Sequence, residues 1–369
     1  MSGYEETAVQ YPSVGADGVQ PFSKETNRSI TEIVGQCNDS FGNPNELPTY
    51  TMTELYDHVF LSRPPIIDGL LYTGTYLLAG ASKIGKSFLS LQIAYHVSMG
   101  LSLWGQAVLR GTALYLALED NLGRLQKRLY HMFGEQNSDK LHLCCYCDRL
   151  NAGLTDQIES FLYRHSDTAL IIIDTLQRIR TNDAEHYSYV EDYKAIGALK
   201  QLSDKHRICI LLVHHTRKQP SDDCFEMISG TNGLMGCADG ALMFSKTTRT
   251  DNHATLDVTG RDVANQRYHL IQNESTLAWE LVRVERELWR LPPDPILLGI
   301  ATLLEKQAQW TGTATELACL LGLDMQPNAL TRHLNVNASR LLNEHHIRYD
   351  NRRGHNGRSI LLTHQPLET

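Results

Sequence analysis

Residues 76–100 read YLLAGASKIGKSFLSLQIAYHVSMG, and this stretch decides the fold. An apolar strand, YLLA, runs into Gly80-Ala81-Ser82-Lys83-Ile84-Gly85-Lys86-Ser87, which fits G-x-x-x-x-G-K-S and opens an amphipathic helix. Successive backbone N–H groups and a helix N-terminus form a cradle for phosphate oxygens. Gly85 permits close approach, Lys86 offers a point charge to the β and γ phosphates, and Ser87 offers a hydroxyl to Mg²⁺. Lys83 lies inside the loop and reads equally as a phosphate contact or as a solvated cation.

Outward from this loop, Leu70 to about Leu281 alternates short apolar runs (ALYLAL, ALIIID, ICILLVHH, ALMF, ATLDVTG) with longer amphipathic stretches. That alternation predicts an α/β domain with a mainly parallel central sheet. Ligands in such sheets gather at the carboxyl ends of the strands. The run ALIIID ends in Asp174, an acid placed to hold Mg²⁺ directly or through water, or simply to cap the next helix. ALYLAL ends in Glu119-Asp120, and Glu119 is the first choice for activating a water, with Asp120 as the fallback. ICILLV ends in His214 and His215, either of which is a candidate sensor of the γ-phosphate. A long polar loop follows, and Lys246 and Arg249 come after ALMF as candidate basic fingers or plain surface cations.

Residues 1–50 are rich in Ser, Gly, Asn, Pro and Glu and read as a flexible arm; TMTELYDHVF reads as a short helix. The ATPase-like domain is placed at 51–285 and a proline-rich linker at 286–295. A small α+β unit at 296–369 ends in IRYDNRRGHNGRSILLTH, two strands joined by a Gly/Asn turn. Arg340, Arg348, Arg352, Arg353 and Arg358 concentrate positive charge there, as phosphate contacts would require.

Bulk composition restricts less. A hydrophobic fraction of 42% and a charged fraction of 21% are ordinary for a folded protein. No run reaches about 18 apolar residues, so no membrane span is expected. The first residues lack a basic start and an apolar stretch, which gives a cytoplasmic expectation. A net charge of −8 leaves nucleic acid open, because a local basic patch suffices. The cluster Cys144-Cys145-Tyr146-Cys147 beside His142 has no second pair at zinc-site spacing.

GASKIGKS, LALED, LIIIDTLQRI, ILLVHHTRK, SGTNGLMGCADGALMF and VTGRDV, in that order, resemble the RepA-like branch of the hexameric replicative helicases. The resemblance covers about residues 55–285. It implies a RecA-like P-loop core that uses ATP and Mg²⁺, with the phosphate loop on Gly80–Ser87 and the catalytic glutamate on Glu119. It puts the metal-linked aspartate on Asp174, the sensor on His214 or His215, and the finger near Lys246, where an arginine is usual; Arg249 or Arg261 are the substitutes. Homo-oligomers, commonly hexamers, with ATP between subunits and single-stranded DNA in the centre are the implied assembly. The last portion resembles a winged-helix module, which implies contact with duplex DNA or with protein. Two other readings share these motifs: a nucleotide-switched DNA-binding regulator and a RecA-like recombination accessory protein.

Overall fold

The computed structural model describes residues 49–60, 65–180, 189–216, 224–228, 232–248, 250–286, 293–305, 307–354 and 357–365. Most of the expected N-terminal arm, residues 287–292 of the expected linker, Arg249, and residues 217–223 and 229–231 of the long loop after His215 lie outside them.

The first element among the described residues is α1 (Met52–Asp57), held by a capping box in which Thr51 and Glu54 satisfy each other's backbone N–H groups. Strand β1 (Gly74–Gly80) leads through the glycine-rich loop into α2 (Lys86–Met99). There follow β2 (Thr112–Ala117), α3 (Leu122–Phe133), β3 (Leu141–Cys144), α4 (Leu154–Arg164) and β4 (Thr168–Asp174). The short α5 (Leu176–Ile179), α6 (Tyr189–His206) and β5 (Cys209–His215) continue the alternation. A 3₁₀ turn (Cys224–Met227), α7 (Asn232–Cys237) and β6 (Gly240–Ser245) precede a meander of β7 (His253–Gly260), β8 (Gln266–Gln272) and β9 (Trp279–Arg286).

These strands form one sheet in the order β3-β2-β4-β5-β1-β6-β7-β8-β9. From β3 to β6 neighbours are parallel, and from β6 to β9 they are antiparallel. Strands β1, β2 and β4 are buried at every residue, as expected where helices cover both faces. The α/β expectation with a mainly parallel sheet therefore holds, and each apolar run quoted above is a strand.

The first departure from the sequence reading concerns α2. It has no clean polar face, because Leu89, Ser90, Leu91, Gln92, Ile93 and Ala94 are all buried. The antiparallel strands account for this. Leu256, Val258, Tyr268, Leu270 and Trp279 share one core with Leu89, Leu91 and Ile93, so the meander curls over the helix that the parallel sheet already supports.

At the amino ends of the strands, Asp239 is a buried hub. Its Oδ2 accepts from the Thr75 amide at 3.0 Å and from Lys200 Nζ at 2.7 Å, and its Oδ1 lies 3.4 Å from an Arg261 nitrogen. Gly74, with φ at +132°, is needed there because a Cβ would sit 2.7 Å from Oδ2. Asp239→Ala leaves the Lys200 charge and the Thr75 amide without their acceptor. We expect a loss of about 3 kcal/mol in urea denaturation, with an unchanged slope; a loss near zero would show that water replaces the carboxylate.

A second unit follows: α8 (Pro295–Leu304), β10 (Gln309–Gly312), α9 (Ala314–Leu320), α10 (Pro327–His345), β11 (Ile347–Gly354) and β12 (Gly357–His364). Its strands pair antiparallel in the order β10-β12-β11 around a separate core that includes Leu297, Leu317, Leu334 and Leu362. Asp294 caps α8 by accepting from the amides of Ile296 and Leu297.

Helix α1 packs on this second unit. Asn335 on α10 donates to the Tyr56 carbonyl at 2.7 Å, and its Oδ1 accepts from Tyr349 Oη at 2.8 Å. Ser339 lies 3.4 Å from the Phe60 carbonyl, and Val59 packs against the C-terminal core. Among the described residues, no helix is long and apolar enough to cross a membrane.

Candidate functional site

The strand order brings the carboxyl ends of β2, β4, β5 and β1 side by side, carrying Glu119, Asp174, His215 and the glycine-rich loop. The loop owes its shape to two left-handed residues, Lys83 (φ 64°) and Gly85 (φ 104°). Ala81, Ser82 and Lys83 are exposed, whereas the Ile84 side chain is buried beneath the loop. Gly80 closes the strand, with Phe244 of β6 packed too tightly against it to admit a Cβ.

Lys86 is only 5% exposed. Its ammonium donates to the carbonyls of Gly80 and Ala81, each at 2.7 Å, and lies 3.2 Å from His215 Nδ1. Burial pushes its pKa down to about 8, against the opposing pull of Asp174 and Glu119. Ser87 donates its hydroxyl to Asp174 Oδ2 at 2.7 Å. Tyr115, fully buried in β2, donates to the same oxygen at 2.8 Å. The Asp174–Thr175 peptide is cis.

The two acids after β2 are in different situations. Asp120 is committed to α3: Arg128 lies 2.9 Å away, Arg124 3.3 Å, and the Asn121 amide donates to it at 3.0 Å. Glu119 is about half exposed and meets Thr175 Oγ1 at 3.3 Å and Arg178 Nε at 3.6 Å. Of the pair, Glu119 bears on the site, near enough for its charge to act on the Lys86 ammonium, and Asp120 serves the scaffold.

The two histidines also separate. His215 shares the face of the phosphate loop, with Ser82 Oγ 3.4 Å from Nδ1; burial and the neighbouring Lys86 lower its pKa. His214 is buried and alternates to the opposite face of β5, with Leu212 and Ile210. The geometry thus brings His215 and not His214 to the phosphate loop.

Lys246 is half-buried, with its Nζ 4.8 Å from the centroid of the Trp279 ring. Arg261, the substitute finger, pairs with Asp239 at the far edge of the sheet. In the second unit, Arg340 is engaged with Glu344 at 2.7 Å and Arg348 lies 3.3 Å from Asp350. Arg352, Arg353 and Arg358 fall on β11 and β12, with Arg353 opposite Arg358 in the register; their side chains are outside the described residues. Arg332, which the sequence reading passed over, is exposed on α10. Among the described residues no group of three or more His, Cys, Asp or Glu has a metal-holding arrangement.

Tyr115, Thr175, Arg178 and Trp279 were not singled out from the sequence. Tyr115 carried one usable signal, a polar tip within the aliphatic run ALYLAL.

Residues 43–221 match the family model described as AAA domain, and that span holds the phosphate loop, Glu119, Asp174 and His215. The chain carries an AAA-type P-loop ATPase domain. A solved structure described as an ATPase domain is similar in fold, with a TM-score of 0.50 at 10% identity over 71% of this chain and 99% of that one. A structure described as a DnaB-like replicative helicase and its interactions with primase has a TM-score of 0.49 at 12% identity, over 69% of this chain and 75% of that one. No curated protein matches the chain.

Proposed function

We propose that the chain is an ATP-driven helicase or translocase that acts on DNA in the replication of a plasmid or mobile element. The observation that carries the reading is the alignment of the phosphate loop, the Ser87–Asp174 pair, Glu119 and His215 along one edge of the ATPase domain. The loop amides and Lys86 bind the triphosphate. Glu119 orients a water and takes its proton as the γ-phosphoryl leaves. His215, against Lys86 and Ser82, is the group that feels the loss of that phosphoryl.

Ser87 and Asp174 present hard oxygen donors 2.7 Å apart, which fits Mg²⁺, an ion satisfied by one or two protein oxygens plus phosphate. Ser87 and Asp174 would hold the ion, which would supply positive charge to the phosphates. Tyr115 fixes Asp174 from beneath, so Tyr115→Phe is expected to raise the Mg²⁺ concentration for half-maximal nucleotide binding by about tenfold. A Mg²⁺ titration of fluorescent ADP binding measures it; an unchanged midpoint would mean that Ser87 alone orients the carboxylate.

In this reading the subunits assemble as a homo-oligomeric ring, hexameric as in the RepA-like helicases, with single-stranded DNA in the centre. Lys246 or Arg249 is the finger toward a neighbouring nucleotide. The helix–strand–helix–helix–strand–strand order of the second unit supports a winged-helix reading, with α10 and the β11–β12 hairpin facing duplex DNA. Arg332 on α10, together with Arg352, Arg353 and Arg358, then supplies more of the phosphate contact than the paired Arg340 and Arg348.

Steady-state ATP hydrolysis with and without single-stranded DNA tests the proposal. Stimulation by DNA supports a motor and leads to an unwinding assay. Hydrolysis indifferent to DNA would replace the motor by a nucleotide-switched regulator or a recombination accessory protein.

A further inference from the structure

Strand β9 lies at the opposite end of the sheet order from β3, yet its first residue touches the phosphate loop. Trp279 is fully buried, and its ring packs on Gly85: a Cβ at Gly85 would lie 2.8 Å from Cζ2. The indole Nε1 lies 3.4 Å from the Gly85 carbonyl, which also accepts the first amide bonds of α2 from Phe88 and Leu89. Two turns along the same helix, Gln92 clamps the Trp279 backbone. Its Oε1 accepts from the Trp279 amide at 2.8 Å, and its Nε2 donates to the Trp279 carbonyl at 2.9 Å. Trp104 Nε1 donates to that carbonyl as well, at 2.7 Å, and Phe244 meets the ring edge-on at 4.9 Å.

This arrangement is costly to assemble unless it fixes something. A glutamine side chain stands in for a neighbouring strand, and a tryptophan is spent on a glycine whose backbone is left-handed. What it fixes is the turn from which α2 starts, where the loop amides must converge on phosphate oxygens. Glu119 and Asp174 lie on the other flank of β1, beyond β5, so the Trp279 contact bears on the loop and not on the groups that act on water or metal.

We propose that Trp279 is a positioning residue for the phosphate loop, held against Gly85 by Gln92. The role rests on the reading of Gly80–Ser87 as the ATP-binding loop. It assigns the antiparallel meander a part in nucleotide affinity, with Trp279 acting through the Gly85 backbone.

The test uses the full chain with Trp279→Leu, Trp279→Phe and Gln92→Leu. Fluorescent ADP gives Kd, hydrolysis gives KM and kcat, and a melt without nucleotide reports the fold. Trp279→Leu is expected to raise Kd and KM by about tenfold, with kcat at saturating ATP within about twofold of the parent. Trp279→Phe keeps a ring against Gly85 but loses the N–H, and Gln92→Leu keeps the indole but loses the clamp; each is expected to give a smaller rise, with Phe restoring most of the affinity lost in Leu. A parental Kd in folded Trp279→Leu overturns the proposal. So does a fall in kcat at unchanged KM, which marks a smaller folded fraction or a displaced Lys246, whose ammonium lies 4.8 Å from the Trp279 ring. If Trp279→Leu fails to fold, the other two decide: parental Kd in both overturns it, and a raised Kd at an unchanged melt supports it. If the parent binds no ADP, the ATP-binding reading falls and this role falls with it; if the parent binds and all variants bind equally, only this role falls.

Discussion

Glu119→Gln is expected to lower kcat for ATP hydrolysis by about a thousandfold while leaving nucleotide affinity within about twofold. Glutamine keeps the size of the side chain and an oxygen that accepts from Thr175, so the local packing survives. It cannot take a proton from water. The Lys86 ammonium, the loop amides and the Ser87–Asp174 pair, which bind the triphosphate in our reading, are untouched. Phosphate release under steady-state conditions gives kcat, and fluorescent ADP gives affinity. Asp120→Asn is the contrasting control. It breaks the ion pairs to Arg124 and Arg128 and is expected to cost stability before it costs rate. A Glu119→Gln protein that retains a tenth of the parental rate would move the base elsewhere.

Lys86→Ala is expected to weaken ADP and ATP binding by at least about a hundredfold. The substitution removes a charge and also takes one donor from each of the Gly80 and Ala81 carbonyls, the former keeping the Thr216 amide. The same side chain predicts a pH dependence. Burial lowers the Lys86 pKa from its ordinary value to about 8, and phosphate binds the ammonium form. Affinity should therefore be flat below about pH 8 and fall above it, approaching tenfold per unit. Binding in that window takes up a proton. His215, whose pKa is lowered, stays neutral there and adds no second step. Isothermal titration in buffers of different ionisation enthalpy reads the proton directly. An affinity that is flat to about pH 10 would show that the ammonium stays charged in the free protein.

The parallel half of the sheet was legible because buried strands must be apolar along their whole length. ALIIID and ICILLV have no other comfortable place in water. Strands β8 and β9 were not. QRYHLIQ and WELVRVER alternate, but their outward positions carry Arg267, His269, Arg283 and Glu285, and those charges mask the apolar face. Strand β3 has only LHLC, half-buried at each residue, and gives too short a signal. In the site, Ser87, Asp174 and Glu119 announced themselves through motif and strand end. The strand end already favours Glu119 over Asp120, and the arginines of α3 show where Asp120 is engaged; separating His215 from His214 needed the face of β5. Tyr115 and Trp279 act on residues 59 and 194 positions away, a separation that no local pattern encodes.

The seat of α1 on the C-terminal unit has a mechanical meaning. The chain touches that unit at Tyr56 and Phe60, then enters the ATPase domain at Pro65, and after β9 it returns to the same unit at α8. The ATPase domain is therefore suspended between two tethers that share one anchor. Five peptide steps join Phe60 to Pro65, a reach of at most about 18 Å. While α1 stays seated, the C-terminal unit is joined to the ATPase domain through two chain exits and not one. Cutting the short tether, or loosening Asn335, would turn a bracket into a flail: the same two bodies, able to pull on one another but no longer to twist one another.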